Sequence, residues 1–419
     1  MTTVPAPPVP RVPVRGRLPG IEGLRAIAAI AVLVHHTWIL DGGQRVGADS
    51  GAGAIFLNLA LGVTLFFALS GFLLYRPFAA AILRGRDLPS IRRYLRNRAL
   101  RILPAYWAIL LLTSFVLQTA TTRDAGGALQ SGAMTNPGDL LRAALLVQDY
   151  DPQTVIIGIG PAWSLAVEVV FYLLLPLLVL AVAAPAARAA GRGRRVLILM
   201  APPLLLLLIG LSGKVAAGVL VPGSPAAGYE SDWHSVIERS FWAQADLFSF
   251  GMVAAVLHTE VADGRLALHR HWRAGALALA ALIFVPCAIS LNSGQLSYQP
   301  QNTAVALAAA LFLAAVAFPG GEARGPWLQR LLEWRFIVTA GLISYSVFLW
   351  NEPVLRWLTA HGATTGGWVG LALNLALAAA VVGALSLLSY RFVELPWLRR
   401  KGAPAARDTV DAAQLEAAP

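Results

Sequence analysis

Four ionisable side chains fall within one apolar run near the start of the chain: Glu22, Arg25, His35 and His36, in Ile-Glu-Gly-Leu-Arg-Ala-Ile-Ala-Ala-Ile-Ala-Val-Leu-Val-His-His. Arg25 and His36 are eleven positions apart. At 3.6 residues per turn this is about three turns, so both share nearly one helix face, ~16 Å apart along the axis. His35 is rotated by about 100° and faces elsewhere. An imidazole titrates near neutral pH and can take a proton from a hydroxyl. An ionisable group inside a membrane helix marks a functional site by default. The same pattern also fits Arg25 stretching to the headgroups with the histidines at the outer interface. Helix geometry alone does not separate the two.

Further along, Arg98 and Arg101 are three apart and share a helix face in Arg-Asn-Arg-Ala-Leu-Arg-Ile-Leu-Pro-Ala-Tyr-Trp. Guanidinium groups there suit a phosphate-bearing ligand from the cytosol, and equally suit anchoring beside an aromatic belt. Glu168 lies in the apolar segment Trp163-Ser164-Leu165-Ala166-Val167-Glu168. A carboxylate in that position needs a partner or a proton. It could pair with His36 and raise its basicity, or pair with an arginine of a facing helix. Ser70-Gly71 offers a small-residue packing site. Glu352 is a further carboxylate near the outer surface. Arg391 and Glu394 can pair on one face of the closing helix. The lone Cys287 has no base placed beside it and no nucleophile-elbow pattern accompanies it, which disfavours covalent catalysis through a nucleophile. No metal ion is expected.

These residues are carried by long apolar segments. Of 419 residues, 57% are hydrophobic and 13% charged, against about 25% charged in soluble proteins. Runs of roughly 20 apolar residues span a bilayer as helices, because hydrocarbon offers backbone amides no other partner. Spans are expected near 22–41, 54–75, 99–118, 161–184, 196–220, 241–257, 274–291, 303–318, 335–357 and 368–390. The short apolar stretch 140–147 lies at the interface or re-enters. The fold class is therefore an all-α, polytopic helix bundle with about ten spans. Loop charge alternates along this count: Arg76, Arg84, Arg86, Arg92, Arg93, Arg96 and Arg98 crowd one loop, whereas 119–160 sets Arg123 and Arg142 against Asp124, Asp139, Asp149 and Asp151. Basic loops stay cytoplasmic, which places both termini there, in the cytoplasmic (inner) membrane. The net charge of +11 belongs to these loops and does not point to nucleic acid. Residues 1–19 and 401–419 read as disordered cytoplasmic tails, without a signal-peptide pattern.

Taken in order, these segments resemble the acyltransferase 3 family of integral membrane O-acyltransferases. The carriers are Gly-Leu-Arg-Ala-Ile-Ala with His36 at the family spacing, Phe-Phe-Ala-Leu-Ser-Gly-Phe, Arg98-x-x-Arg101-Ile-x-Pro104, Trp163-Ser164-Leu165-x-x-Glu168, Ser-Tyr-Ser-Val-Phe-Leu-Trp and Ser-Tyr-Arg-Phe-Val-Glu-Leu-Pro. They cover about 18–400, so residues 20–400 are expected to form the membrane acyltransferase domain. The resemblance implies an acyl-coenzyme A co-substrate, acetyl being expected, with no permanently bound cofactor. It implies an acceptor hydroxyl on a sugar, glycolipid or natural product. His36 and Glu168 are the expected catalytic pair, with Arg25, Arg98 and Arg101 on the donor phosphates and Ser70, Trp163 and Ser164 shaping the channel. Two departures stand out. Glu22 replaces the usual aspartate, and Asn351 occupies a place where the family often has histidine, which removes a second catalytic histidine. The family's optional exported domain is absent from this sequence, so no relay to one is expected. A transporter or flippase for a lipid-linked sugar would also carry polar residues in its spans, but no inverted repeat is visible.

Overall fold

Apolar runs of this length have one way to satisfy their backbone amides without water, and the computed structural model shows them as helices. It describes residues 18–40, 47, 51–124, 126–221, 230–292, 298–319 and 327–400. The two expected tails lie outside these residues, apart from the two positions at 18–19. The principal helices are α1 (Ile21–Ile39), α2 (Gly62–Leu83), α3 (Ile91–Leu111), α4 (Pro137–Ala144), α5 (Trp163–Arg188), α6 (Ala201–Val215), α7 (Asp246–Ala262), α8 (Trp272–Asn292), α9 (Tyr298–Ala317), α10 (Ser344–Ala360) and α11 (Gly367–Ser389). A helix covers most of every expected span. Among the described residues, five stretches are long and apolar enough to cross a membrane: Ile55–Leu83, Ile91–Leu117, Gly160–Arg188, Arg192–Val219 and Gly367–Arg399. The protein is an all-α, multi-pass membrane protein. The stretch 140–147 is the end of the short helix α4 and the turn after it, and it does not cross.

Contacts between helix ends order the bundle. At one end, Arg84 after α2 holds Asp263 after α7 through two donors, at 3.0 and 2.7 Å. Arg192, ahead of α6, joins the same Asp263 at 2.5 Å and Glu260 at 2.8 Å. Arg96 near the start of α3 donates to the Arg400 carbonyl at 3.1 Å. At the other end, Thr359 of α10 donates to the Leu40 carbonyl after α1 at 3.2 Å. Arg356 of α10 reaches Ser131 of a two-stranded antiparallel hairpin, β1 (Ala120–Arg123) and β2 (Leu129–Gly132), at 3.0 Å. The basic end and the hairpin end are thus opposite ends of the bundle, as the loop charges require.

The core is aromatic and tightly spaced. Phe248 of α7 stacks on Phe171 of α5 at 4.2 Å and packs at a tilt against Phe67 of α2 at 4.9 Å. A Cβ on Gly71 would collide with the Phe248 carbonyl, and one on Gly251 with that of Ala68. Glycine at both crossings lets α2 and α7 approach backbone to backbone. Gly71 therefore is the packing site read from the sequence, while its neighbour Ser70 faces another helix.

The segment between α4 and α5 folds inward. Asp149 there is wholly buried, with the Ile156 amide donating to it at 3.0 Å and Gln148 Nε2 at 3.1 Å. Burial raises its carboxyl to about 7, against the opposing pull of the Ile156 amide and the Arg239 guanidinium. Gln148 Oε1 is buried without a partner, and turning that amide over lets it accept a proton from neutral Asp149. The unfolded carboxyl ionises near 3.8, so folding takes up a proton between the two values and stability falls as pH rises through that window. Asp149→Asn keeps the neutral shape. Its thermal unfolding is expected to lose the decline between about pH 4 and 7, and its Tm at pH 8 to exceed that of the parent. An unchanged slope would mean that Asp149 is ionised in the native state.

Candidate active site

Three arginines from separate positions in the sequence converge on one cavity. Arg25 comes from the first turns of α1, and Arg98 and Arg101 from consecutive turns of α3. Ser90 caps α3 by accepting from the Arg93 amide, and the spacing of three puts both arginines on one side of the helix. The cavity holds about 110 Å³ and is also lined by Ser70, Ser164, Glu168, Tyr172, Tyr345, Phe66 and Phe348. Along α2 its lining runs from Val63 to Leu74, or ~16 Å at 1.5 Å per residue.

Charge within it is arranged unequally. Glu168 accepts from Ser70 Oγ at 2.7 Å and from Tyr172 Oη at 2.6 Å, which ties α5 to α2 and leaves the carboxylate fixed. Arg25 donates to Ser344 Oγ at 3.3 Å and lies within electrostatic reach of Glu22, Glu168 and Glu394. Glu394 in turn accepts from Ser346 at 2.6 Å. Arg98 and Arg101, by contrast, hold no ion pair among the described residues, and Arg98 Nε is buried without a partner. Buried polar groups are normally satisfied. Two guanidinium groups turned into a cavity without a carboxylate of their own suit an anionic ligand with several oxygens.

His36 lies beyond the outer end of this cavity. Gly62, next to Val63, abuts the Ala28 carbonyl and Val32 of α1, one turn short of His36. Phe66 and Phe348 stand at that level, edge to face at 5.8 Å. His36 Nδ1 is hydrogen-bonded to Oδ1 of Asn351 on α10. The charged groups within reach of the imidazole are Glu352 and Arg356, themselves joined at 2.5 Å. His35 points elsewhere, as its rotation requires, with Nδ1 on the Phe56 carbonyl at 2.9 Å.

The expected site residues thus divide. Arg25, Arg98, Arg101, Ser70, Ser164 and Glu168 are brought together. Trp163 is not among the side chains lining the cavity; it packs on Phe67 at 6.3 Å, beneath the Arg239 guanidinium at 4.8 Å. The expected pairing of Glu168 with His36 does not form. The reason is depth: α5 begins well inside the bundle, since Gly160 ahead of it lies against the Glu352 carboxylate. Glu352 adjoins Asn351, so His36 shares the level of Gly160. Glu168, eight residues further along, lies ~12 Å deeper, at the level of Ser70. The carboxylate beside His36 is Glu352. Sequence reasoning missed Tyr172, although its spacing of four from Glu168 puts both on one helix face. It also missed Tyr345, whose hydroxyl donates to the Ile102 carbonyl at 2.9 Å and props α10 against α3.

Fold and site define a helical membrane protein with an arginine-lined cavity. The acyltransferase domain signature matches residues 18–391, and the chain belongs to that family. It is 33% identical over 168 residues to the acyltransferase MdmB of Streptomyces mycarofaciens, covering 38% of this chain and 39% of that protein. Over 407 residues it is 23% identical to the peptidoglycan O-acetyltransferase OatA of Listeria monocytogenes, covering 93% of this chain and 57% of the relative. Over 404 residues it is 21% identical to the O-acetyltransferase OatA of Staphylococcus aureus, covering 92% and 58%. The chain spans a little over half the length of these O-acetyltransferases. No solved structure matches it.

Proposed function

We propose that the protein is a membrane O-acyltransferase. It takes an acyl group, acetyl in the first instance, from acyl-coenzyme A at the basic end of the bundle. It delivers this group to a hydroxyl of a carbohydrate, glycolipid or natural product at the hairpin end. In this reading the ten helical segments span the cytoplasmic membrane with both termini inside. The observation that carries it is the pair Arg98 and Arg101, which hold no ion pair among the described residues and turn into one elongated cavity. Donor phosphates would neutralise these charges, and the thioester arm would follow the cavity along α2 toward His36. Opening the last turn requires movement of the Phe66–Phe348 pair. Glu168, with both oxygens occupied, balances the arginines and joins α5 to α2 rather than handling the proton. His36 is the base for the acceptor hydroxyl.

The test is transfer from radiolabelled acetyl-CoA, supplied on the basic face of proteoliposomes that carry envelope material from the native host. Label appearing as ester in the acceptor fraction supports the reading. Movement of a lipid-linked sugar across the vesicle without any acylation would instead make the protein a transporter.

A further inference from the structure

The amide of Asn351 is held from both sides. Its Nδ2 donates to the Phe348 carbonyl at 2.5 Å and to the Val347 carbonyl at 3.2 Å. These are main-chain acceptors of its own helix, so the reverse orientation of the amide would set oxygen against two oxygens. Oδ1 is therefore the atom that faces His36, and an amide oxygen only accepts. The hydrogen of the shared bond must come from His36 Nδ1. A neutral imidazole carries one N–H, so Nε2 keeps its lone pair. Asn351 itself is wholly buried and surrounded by fixed partners, so it cannot adapt to the other tautomer.

We infer that Asn351 is a positioning residue that fixes His36 in the Nδ1–H tautomer and thereby selects Nε2 as the base. This deepens the proposed function and rests on His36 acting there. In the reaction the acceptor O–H gives its proton to Nε2 as its oxygen bonds to the thioester carbon. The C–S bond then breaks, and the proton passes from Nε2 to the departing sulfur, leaving ester and thiol. Throughout, Nδ1–H stays on Asn351, where it also steadies the transient imidazolium. The other groups facing this ring are Glu352 and Arg356 of α10 and the His35 ring, centred 5.4 Å away.

Three variants, followed by release of labelled acetate from acetyl-CoA into envelope ester, separate this role from a structural one. Asn351→Leu matches the shape but accepts nothing. It is expected to lower kcat at least tenfold with KM for acetyl-CoA unchanged. Asn351→Asp keeps an acceptor for Nδ1–H, with its second oxygen protonated so that it donates to the Phe348 carbonyl as the amide does. It is expected to rescue most of the turnover lost in the leucine variant. His36→Gln, measured alongside, is expected to be inactive. If Asn351→Leu keeps kcat within twofold while His36→Gln is inactive, Asn351 has no positioning role and His36 keeps its own. Should the leucine variant fail to accumulate, a folded Asn351→Asp variant as inactive as His36→Gln overturns the inference by itself. Full activity in His36→Gln would remove the underlying reading instead.

Discussion

Replacing His36 with alanine lowers acyl transfer by about 10²–10⁴-fold while the protein reaches the membrane at its normal level; this is the largest effect expected of a single substitution here. A positioned general base contributes on that order. His36 is the one imidazole on the Arg25 face of α1, with its Nδ1 engaged by Asn351. Its neighbour supplies the control. His35 is buried on the Phe56 carbonyl, so His35→Ala opens a packing defect and lowers thermal stability without a comparable loss in turnover per folded molecule. The comparison is made by quantifying both variants in detergent, then measuring labelled ester formed from acetyl-CoA per mole of folded protein. Equal losses in the two variants would assign the effect to packing of α1, and undiminished transfer in His36→Ala would remove the base from the mechanism.

What could be read from one sequence follows from the range of the interactions involved. Helical segments announce themselves through local composition, and loop charge gives their phase, so the bundle was legible throughout. The register between Arg25 and His36 is likewise a property of one helix. Relations across helices were less accessible. Asn351 lies 315 positions from His36, and in the sequence it registers only as a missing histidine. Nothing local gives the depth of Glu168, because it follows from the segment ahead of α5 folding into the bundle and burying Gln148 and Asp149. The hairpin β1–β2 was read as plain loop; its strands are four residues each and too short for a pattern of alternation to declare itself. Ser70-Gly71 shows both outcomes at once, one residue packing α2 on α7 and the other holding a carboxylate.

The double variant Arg98→Gln, Arg101→Gln carries the second large effect, and it bears on the donor rather than on the chemistry. Hydrogen bonds to charged groups contribute about 1.5–3 kcal/mol each. At a solvated mouth the lower figure applies, so two lost contacts cost roughly 3 kcal/mol, or about 100-fold in affinity at 1.4 kcal/mol per tenfold. KM for acetyl-CoA is expected to rise by 30- to 100-fold with kcat changed little, the signature of binding lost equally from ground and transition state. Glutamine keeps a hydrogen-bonding amide but loses both the charge and the reach of arginine, so the loss measures the guanidinium contact as a whole. The decisive comparison is S-acetyl-pantetheine, which has the thioester arm without phosphates. If the arginines hold phosphate, the parent protein prefers acetyl-CoA strongly and the double variant uses both donors with similar, high KM. Anchoring predicts the opposite pattern: less protein in the membrane and unchanged KM for either donor. Arg25 offers an internal contrast, since Glu22, Glu168 and Glu394 already stand within its reach. Removing it leaves carboxylates without their cation, so Arg25→Gln is expected to lower protein stability as well as donor affinity, whereas Arg98 and Arg101 hold no ion pair among the described residues.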